Sequence, residues 1–378
     1  MAQNQPGSTR VCYLSSSDPD STGAKTGVDK KISAQIEAFN KAGLPCEHRQ
    51  LTTPETVWSR VITCLPFVGD GVGWPDPEEM APYSCLYIRR PRFISKDLFR
   101  FIKAAKRLNP SLKVILEIPT YPYDGEMKTL LRYPSLVKDR ANRAVAGRYI
   151  DRVTSLTSDK MIFGTKAIQI LNGVDLNLIS AKQPAPSVEE INIIMVAHFE
   201  RWHGLDRLVA GVIKYYEGRP DRKVVLHIVG DGEGLPGLIN QSKVANLDDR
   251  IIFHGYRTAA ELSELYSLSS LGVESLGFHR VGLTVSSTLK SREYLARGIP
   301  FITGNDIDTF LVDPVDFCLK VPRDDSSIDI QSIIDFHDRL YSRESQEDLI
   351  ARIRAYAESH IGMDRVMDGV VTYIKNPG

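Results

Sequence analysis

Thr288-Leu289-Lys290-Ser291-Arg292-Glu293-Tyr294-Leu295-Ala296-Arg297-Gly298-Ile299-Pro300 is the stretch on which the reading of this chain turns. It reads as a helix, and a helix puts Lys290 and Glu293, three positions apart, on one face. Three segments lead up to it. Val229-Gly230-Asp231-Gly232-Glu233-Gly234 follows a strand-like run and precedes a helical one, where backbone N–H groups and a helix N-terminus can bind negative charge. Taken alone, that segment is equally a tight turn. Phe253-His254-Gly255-Tyr256 ends the next strand, and Ser275-Leu276-Gly277-Phe278-His279-Arg280-Val281-Gly282-Leu283 is a loop that runs towards the helix.

Around these segments, Ile193–Val196, Val224–Val229, Ile251–Phe253 and Phe301-Ile302 read as strands, and Leu205–Tyr216 as a helix. The earlier half has the same pattern. Arg10–Leu14, Leu86–Ile88, Lys113–Ile118 and Val153–Leu156 read as strands, with helices over Val28–Ala42 and Lys96–Leu108. Strands alternating with helices predict parallel sheets covered on both faces. Ala181-Lys182-Gln183-Pro184-Ala185-Pro186-Ser187, polar and containing proline, is the linker between the halves. A chain of 378 residues is about twice a typical single domain. The expectation is therefore α/β with two Rossmann-like, doubly wound domains, residues 1–181 and 188–360, and a terminal helix over about 361–378 packing back on the first.

Lys plus Arg and Asp plus Glu both total 47, so no broad positive field awaits a nucleic-acid backbone and any anion site has to be local. Cys12, Cys46, Cys64, Cys85 and Cys318 lack CxxC spacing and read as reduced thiols. The N-terminus is polar, and no run approaches the roughly 18 consecutive apolar residues that span a bilayer. A cytoplasmic protein is expected. From Phe93 to Leu108, apolar Phe93, Leu98, Phe99, Phe101 and Ile102 alternate with Lys96, Arg100, Lys103, Lys106 and Arg107. Such a helix either covers a sheet or rests peripherally on an anionic membrane.

The order strand-Gly-x-Gly, strand-x-Gly, Gly-Phe loop and helix-borne Glu-Tyr-Leu-Ala-x-Gly-x-Pro, with Gly204-Leu205-Asp206-Arg207-Leu208 ahead of it, resembles the donor half of the GT-B glycosyltransferases. The resemblance is strongest to the retaining family 4 (group 1) of bacterial surface-glycan synthesis. Asn172-Gly173-Val174-Asp175 is similar to that family's turn before the interdomain linker. The resemblance implies two domains facing a central cleft. It also implies retaining transfer of a sugar from a nucleotide diphosphate sugar, a UDP-sugar favoured, to a carbohydrate or lipid-linked acceptor.

Such a donor needs its pyrophosphate neutralised, its ribose hydrogen-bonded and its base supported. On the matching positions the expected catalytic residues are Lys290, Glu293 and Arg280: the carboxylate accepts two ribose hydroxyl protons, and the cations meet the departing phosphate. Donor contacts are expected at Gly23, Gly27, Arg201, Gly230, Asp231, Gly255, Tyr256, Gly277, Phe278, His279 and Leu289. In the first half, Glu117-Ile118-Pro119-Thr120-Tyr121-Pro122-Tyr123-Asp124-Gly125-Glu126 stands at a strand's C-terminal end, where ligands of open α/β sheets bind. Tyr121, Asp124 and Glu126 are the expected acceptor contacts, unless the run is a structural turn.

Two places depart from the family pattern. His198 and His203 occupy positions where family 4 often has an arginine and a lysine, with Arg201 between them to supply charge. Val285 stands where the first of a glutamate pair is usual, and Glu274 is the available stand-in. Asp18-Pro19-Asp20 and Asp306-Ile307-Asp308 have metal-pair spacing outside the context of the other large glycosyltransferase fold, and the eight histidines form no zinc pattern. No metal is expected, and no cofactor beyond the nucleotide sugar as co-substrate. Two rivals stay open: a nucleotide-sugar epimerase or phosphorylase of the same fold, and a non-catalytic partner that binds glycan or stabilises an active subunit.

Overall fold

The computed structural model describes residues 9–19, 27–54, 56, 58, 62, 63, 65, 68–124, 133–187 and 189–376. The chain divides into two compact units, Met1–Gly173 with Met363–Gly378, and Val174–Gly362.

In the first unit, β1 (Val11–Ser15), β2 (Cys46–Gln50), β3 (Cys85–Arg89), β4 (Lys113–Ile118), β5 (Arg152–Ser155), β6 (Met161–Ile162) and β7 (Thr165–Gln169) form one sheet in the order β2-β1-β3-β4-β5-β7-β6. Among the described strands of this sheet only β6 and β7 pair antiparallel. Helices α1 (Gly27–Lys41), α2 (Lys96–Leu108) and α3 (Tyr133–Arg143) follow strands of this series. Successive side chains of a strand point to opposite faces, so a strand that is apolar throughout demands cover on both sides. β1 shows this directly. Val11 and Tyr13 pack with Ile32 and Phe39 of α1 and with Met363, Met367, Val370 and Ile374 of the C-terminal helix Met363–Lys375. Cys12 and Leu14 pack on the other face with Leu98, Phe101 and Ile102 of α2.

Ser95 starts α2 by accepting from the Leu98 N–H at 3.0 Å. The residues a membrane would need from this segment, Phe93, Leu98, Phe99, Phe101 and Ile102, are buried in the unit's own core, so the helix covers the sheet and does not offer them to lipid. Lys96, Arg100, Lys103 and Arg107 remain exposed. Among the described residues no helix is long and apolar enough to cross a membrane. Cys12, Cys46, Cys85 and Cys318 are free, and burial pushes the Cys12 thiol up to about 12.

The second unit holds β8 (Ile191–His198), β9 (Val224–Asp231), β10 (Ile251–Gly255), β11 (Leu271–Val273), β12 (Val285–Ser286), β13 (Phe301–Thr303), β14 (Asp306–Ile307) and β15 (Cys318–Lys320). Six of these make a parallel sheet in the order β10-β9-β8-β11-β13-β15, and β12 pairs with β14 apart from it. Among the described residues its helices are α4 (Leu205–Glu217), α5 (Leu235–Val244), α6 (Ala259–Leu268), α7 (Leu289–Arg297), α8 (Ile330–Tyr341) and α9 (Gln346–His360). Strand order reverses between β8 and β11. A crevice therefore opens beyond the C-terminal ends of these two strands, the usual ligand position in such sheets.

The expected linker behaves differently from its composition. Val174 bridges Gly362, Arg354 donates to the Leu176 and Ile179 carbonyls at 2.6 Å each, and Lys182 donates to the Ser269 carbonyl at 2.6 Å. These bonds hold residues 174–182 on the second unit, and the boundary falls at Gly173/Val174 rather than near residue 181.

Candidate functional site

Lys290 and Glu293 both lie on α7. Thr288 caps it, its Oγ1 accepting from the Ser291 N–H, and Gly298 ends it at φ 76°, where a Cβ would meet Ile350 within 2.7 Å. The Tyr294 hydroxyl donates to the Val273 carbonyl at 2.9 Å and so fixes α7 to β11. Just past β11 lies Glu274, completely buried. Its carboxylate accepts from the Thr288 hydroxyl at 2.6 Å, the Ser275 N–H, and, at 3.4 Å each, Thr303 Oγ1 and Asn305 Nδ2. Asn305 also donates to the Ser275 carbonyl at 2.9 Å. Glu274 thus organises three separate loops at the ends of β11, β13 and the start of α7.

Lys290 completes this cluster. Its Nζ donates to Ser275 Oγ at 3.1 Å, and it forms no ion pair among the described residues. Burial pulls its pKa down to about 8, although Glu274 nearby works in the opposite direction. A desolvated ammonium with one hydroxyl partner has unused donor capacity, since an ammonium carries three N–H groups. An anion arriving in the β8/β11 crevice would satisfy it.

On the other side of the crevice, β8 and β9 end together, with Ala197 paired to Gly230 and His198 to Asp231. Gly230 sits at φ 123°, and a Cβ there would lie 1.9 Å from the Ala197 carbonyl oxygen. We therefore expect Gly230→Ala to destabilise the second unit by about 2–4 kcal/mol, from backbone strain plus the clash. Urea unfolding would check this, and a loss below about 1 kcal/mol would show that the β8/β9 edge yields. Asp231 hydrogen-bonds His198 at 2.6 Å, which raises the pKa of the exposed imidazole and holds the Asp231 carboxyl low.

Residues 190–330 match the family described as Glycosyl transferases group 1. They span β8 to the first turn of α8, the segment that builds this crevice. The whole chain is similar in structure to the HepE protein of Anabaena in complex with UDP, at TM-score 0.60 and 13% identity over 97% of this chain and 99% of that one. It is similar to a glycosyltransferase of Rickettsia africae at TM-score 0.60 and 11% identity over 98% and 100%. It is also similar to the lipopolysaccharide outer core galactosyltransferase WaaB, at TM-score 0.56 and 11% identity over 97% and 100%. The fold is GT-B. No curated protein matches the chain in sequence.

Within residues 190–330 the expected residues fall into different situations. Glu293 shares α7 with Lys290 but is paired with Arg297 at 2.6 Å, and Arg297 lies over the Tyr266 ring at 4.4 Å. Arg280 does not stand free. It binds both Asp206 oxygens, at 2.8 and 2.7 Å, Asp325 at 2.7 Å and the Arg201 carbonyl at 2.8 Å. Two carboxylates neutralise it and raise its pKa, so it clamps the Gly277–Gly282 loop to the start of α4. His279 joins Asp325 at 3.1 Å, and Phe278 is buried. Gly277 backs onto the β8–α4 turn, where a Cβ would meet the Trp202 carbonyl at 3.1 Å. Arg201, Leu289 and Tyr256 are exposed, Tyr256 at 85%, and Gly255 beside it adopts φ 66°. Of the metal-like tripeptide, Asp306 is held by Lys320 and Arg323, and Asp308 by Arg292.

In the first unit, Gly27 opens α1, Tyr121 packs edge-on against Phe163 at 5.7 Å, and Asp124 is held by Arg140 and Arg143 at 2.6 Å each. An Asp124 carboxyl kept low by two guanidiniums is a weak base. Gly23 and Glu126 lie outside the described residues. Sequence reasoning overlooked Ser275, Thr288, Thr303 and Asn305, because hydroxyl and amide residues in loops carry no periodic signal. Glu274 immediately after a short apolar strand was the one legible trace.

Proposed function

We propose that the chain transfers a hexose from a nucleotide diphosphate sugar to a carbohydrate or lipid-linked acceptor, with retention of configuration, without a metal ion, in the cytoplasm. The observation that carries this reading is Lys290: a half-buried ammonium, short of partners among the described residues, at the strand-order reversal of the segment that matches group 1 glycosyltransferases. In the proposed reaction the bond from the anomeric carbon to the diphosphate oxygen breaks as the acceptor oxygen bonds the same face of the sugar. The acceptor proton passes to the leaving phosphate. Lys290 stabilises the charge developing on that phosphate, and exposed Arg201 adds positive potential at the mouth. Glu293 serves the ribose after exchanging part of its bond to Arg297 for the two hydroxyls. The complex of HepE with UDP supports uracil as the base.

A screen of UDP-, GDP- and dTDP-sugars tests this. We expect nucleotide diphosphate release from a UDP-hexose, unchanged by EDTA, and reduced at least about tenfold in Glu293→Ala, the loss of one charge-assisted hydrogen-bonding group. Binding of UDP with no release from any sugar donor would favour the non-catalytic rival. Failure of every nucleotide diphosphate to bind would defeat the proposal altogether.

A further inference from the structure

We propose that His203 is a neutral hydrogen-bond donor to the diphosphate, delivering its Nε2–H where a cation would otherwise be used; this rests on the reading of the β8/β11 crevice as a nucleotide-diphosphate site. The Glu200 amide N–H donates to His203 Nδ1 at 2.9 Å. A backbone amide nitrogen can only donate, so Nδ1 presents its lone pair. A neutral imidazole with Nδ1 unprotonated carries its hydrogen on Nε2. Burial first and Lys290 second bring the His203 pKa down to about 4, so the ring is neutral at ordinary pH.

The ring is also held in place. It packs edge-on to Phe199 at 6.2 Å and beside Trp202 at 6.0 Å. The His203 carbonyl accepts from the Leu276 N–H at 2.9 Å, next to the Ser275 hydroxyl that receives Lys290. Among the described residues Nε2 has no hydrogen-bond acceptor, and the residue is half-buried. The ring's Nδ1 is held by the Glu200 N–H, and Lys290 is close enough to lower the ring's pKa. The charged and titratable groups around the ring are Lys290, His198 and Glu200. A second ammonium at this place would repel Lys290 in a site of low dielectric. A neutral donor supplies a hydrogen bond to a phosphate oxygen without that repulsion.

The full chain, labelled with 15N at histidine, gives the tautomer directly from its ring nitrogen shifts, and calorimetry compares UDP with uridine. The expected result is an Nε2–H ring, a UDP Kd weakened about tenfold in His203→Ala, and a loss of no more than about threefold in His203→Gln, whose amide N–H can replace Nε2–H. Uridine affinity should not change in either variant. An Nδ1–H tautomer, unchanged UDP affinity in a folded His203→Ala, or equal losses for UDP and uridine would overturn the assignment. Wild-type protein that binds no UDP, GDP or dTDP would instead defeat the functional reading on which it rests.

Discussion

Lys290→Met is expected to lower UDP affinity and sugar transfer together, kcat/KM falling about 10²- to 10³-fold, while the protein becomes more stable. The two effects have one cause. A pKa near 8 in place of the ordinary 10.5 means that keeping this charge in the folded chain costs about 3 kcal/mol at neutral pH. A methionine of similar length removes that cost, and part of the gain should appear as an unfolding midpoint about 2–6 °C higher. A lysine present for structure would give the opposite sign. The same charge sets the pH dependence of binding. Below about pH 8 the ammonium is already present and affinity is level; above it each binding event must first take up a proton, so affinity falls towards tenfold per pH unit. Lys290→Met should abolish this alkaline limb. Calorimetry between pH 7 and 10, with thermal melts of both proteins, checks all three expectations, and a less stable variant with normal UDP affinity would remove Lys290 from the site.

The second large effect belongs to the first unit. Glu117 is fully buried, and Arg89 pairs with it at 2.9 Å and Lys31 at 3.5 Å; the Tyr13 hydroxyl donates to it at 3.0 Å and Gln35 Nε2 at 3.4 Å. Burial raises its pKa, but Arg89 and Lys31, with the hydrogen bonds from Tyr13 and Gln35, together outweigh burial and hold the carboxyl below its ordinary value. Glu117→Ala leaves both cations in a half-buried pocket without their counter-ion. Breaking such a pair from one side costs about 3–5 kcal/mol, so the unfolding midpoint should drop by about 10 °C. Because the folded pKa is depressed, this stabilisation is present above about pH 4.3, the unfolded carboxylate value, and is lost as pH falls through the lower folded value. Thermal unfolding of Glu117→Ala at pH 7 within 2 °C of wild type would show that water or another group replaces the carboxylate.

Glu117 also marks how far the chain could be read unaided. The sequence puts the run from Glu117 to Glu126 at the C-terminal end of a strand, as acceptor contacts at Tyr121, Asp124 and Glu126 or as a structural turn, and Glu117 does stand at the C-terminal end of β4. Its partners come from α1 and β3, and no local pattern announces them. Arg280 teaches the same lesson from the other side. A loop arginine beside a glycine pair suggests phosphate, yet Asp206 and Asp325, 74 and 45 residues away in sequence, claim it. β2 was missed because Cys46-Glu47-His48-Arg49-Gln50 is a polar, partly exposed edge strand with no apolar alternation.

The amino-acid sequence by itself determined the alternation of strand and helix, the doubly wound character of both halves, and the placement of Lys290 and Glu293 on one helix. These follow from the periods of apolar residues and from spacing along a single element, which are local quantities. Tertiary structure alone decided which charges stand free, where the unit boundary falls and which nitrogen of His203 carries the hydrogen. Each of those depends on neighbours brought together by strand order across the sheet, and burial there turns an ordinary lysine or histidine into one with a perturbed pKa.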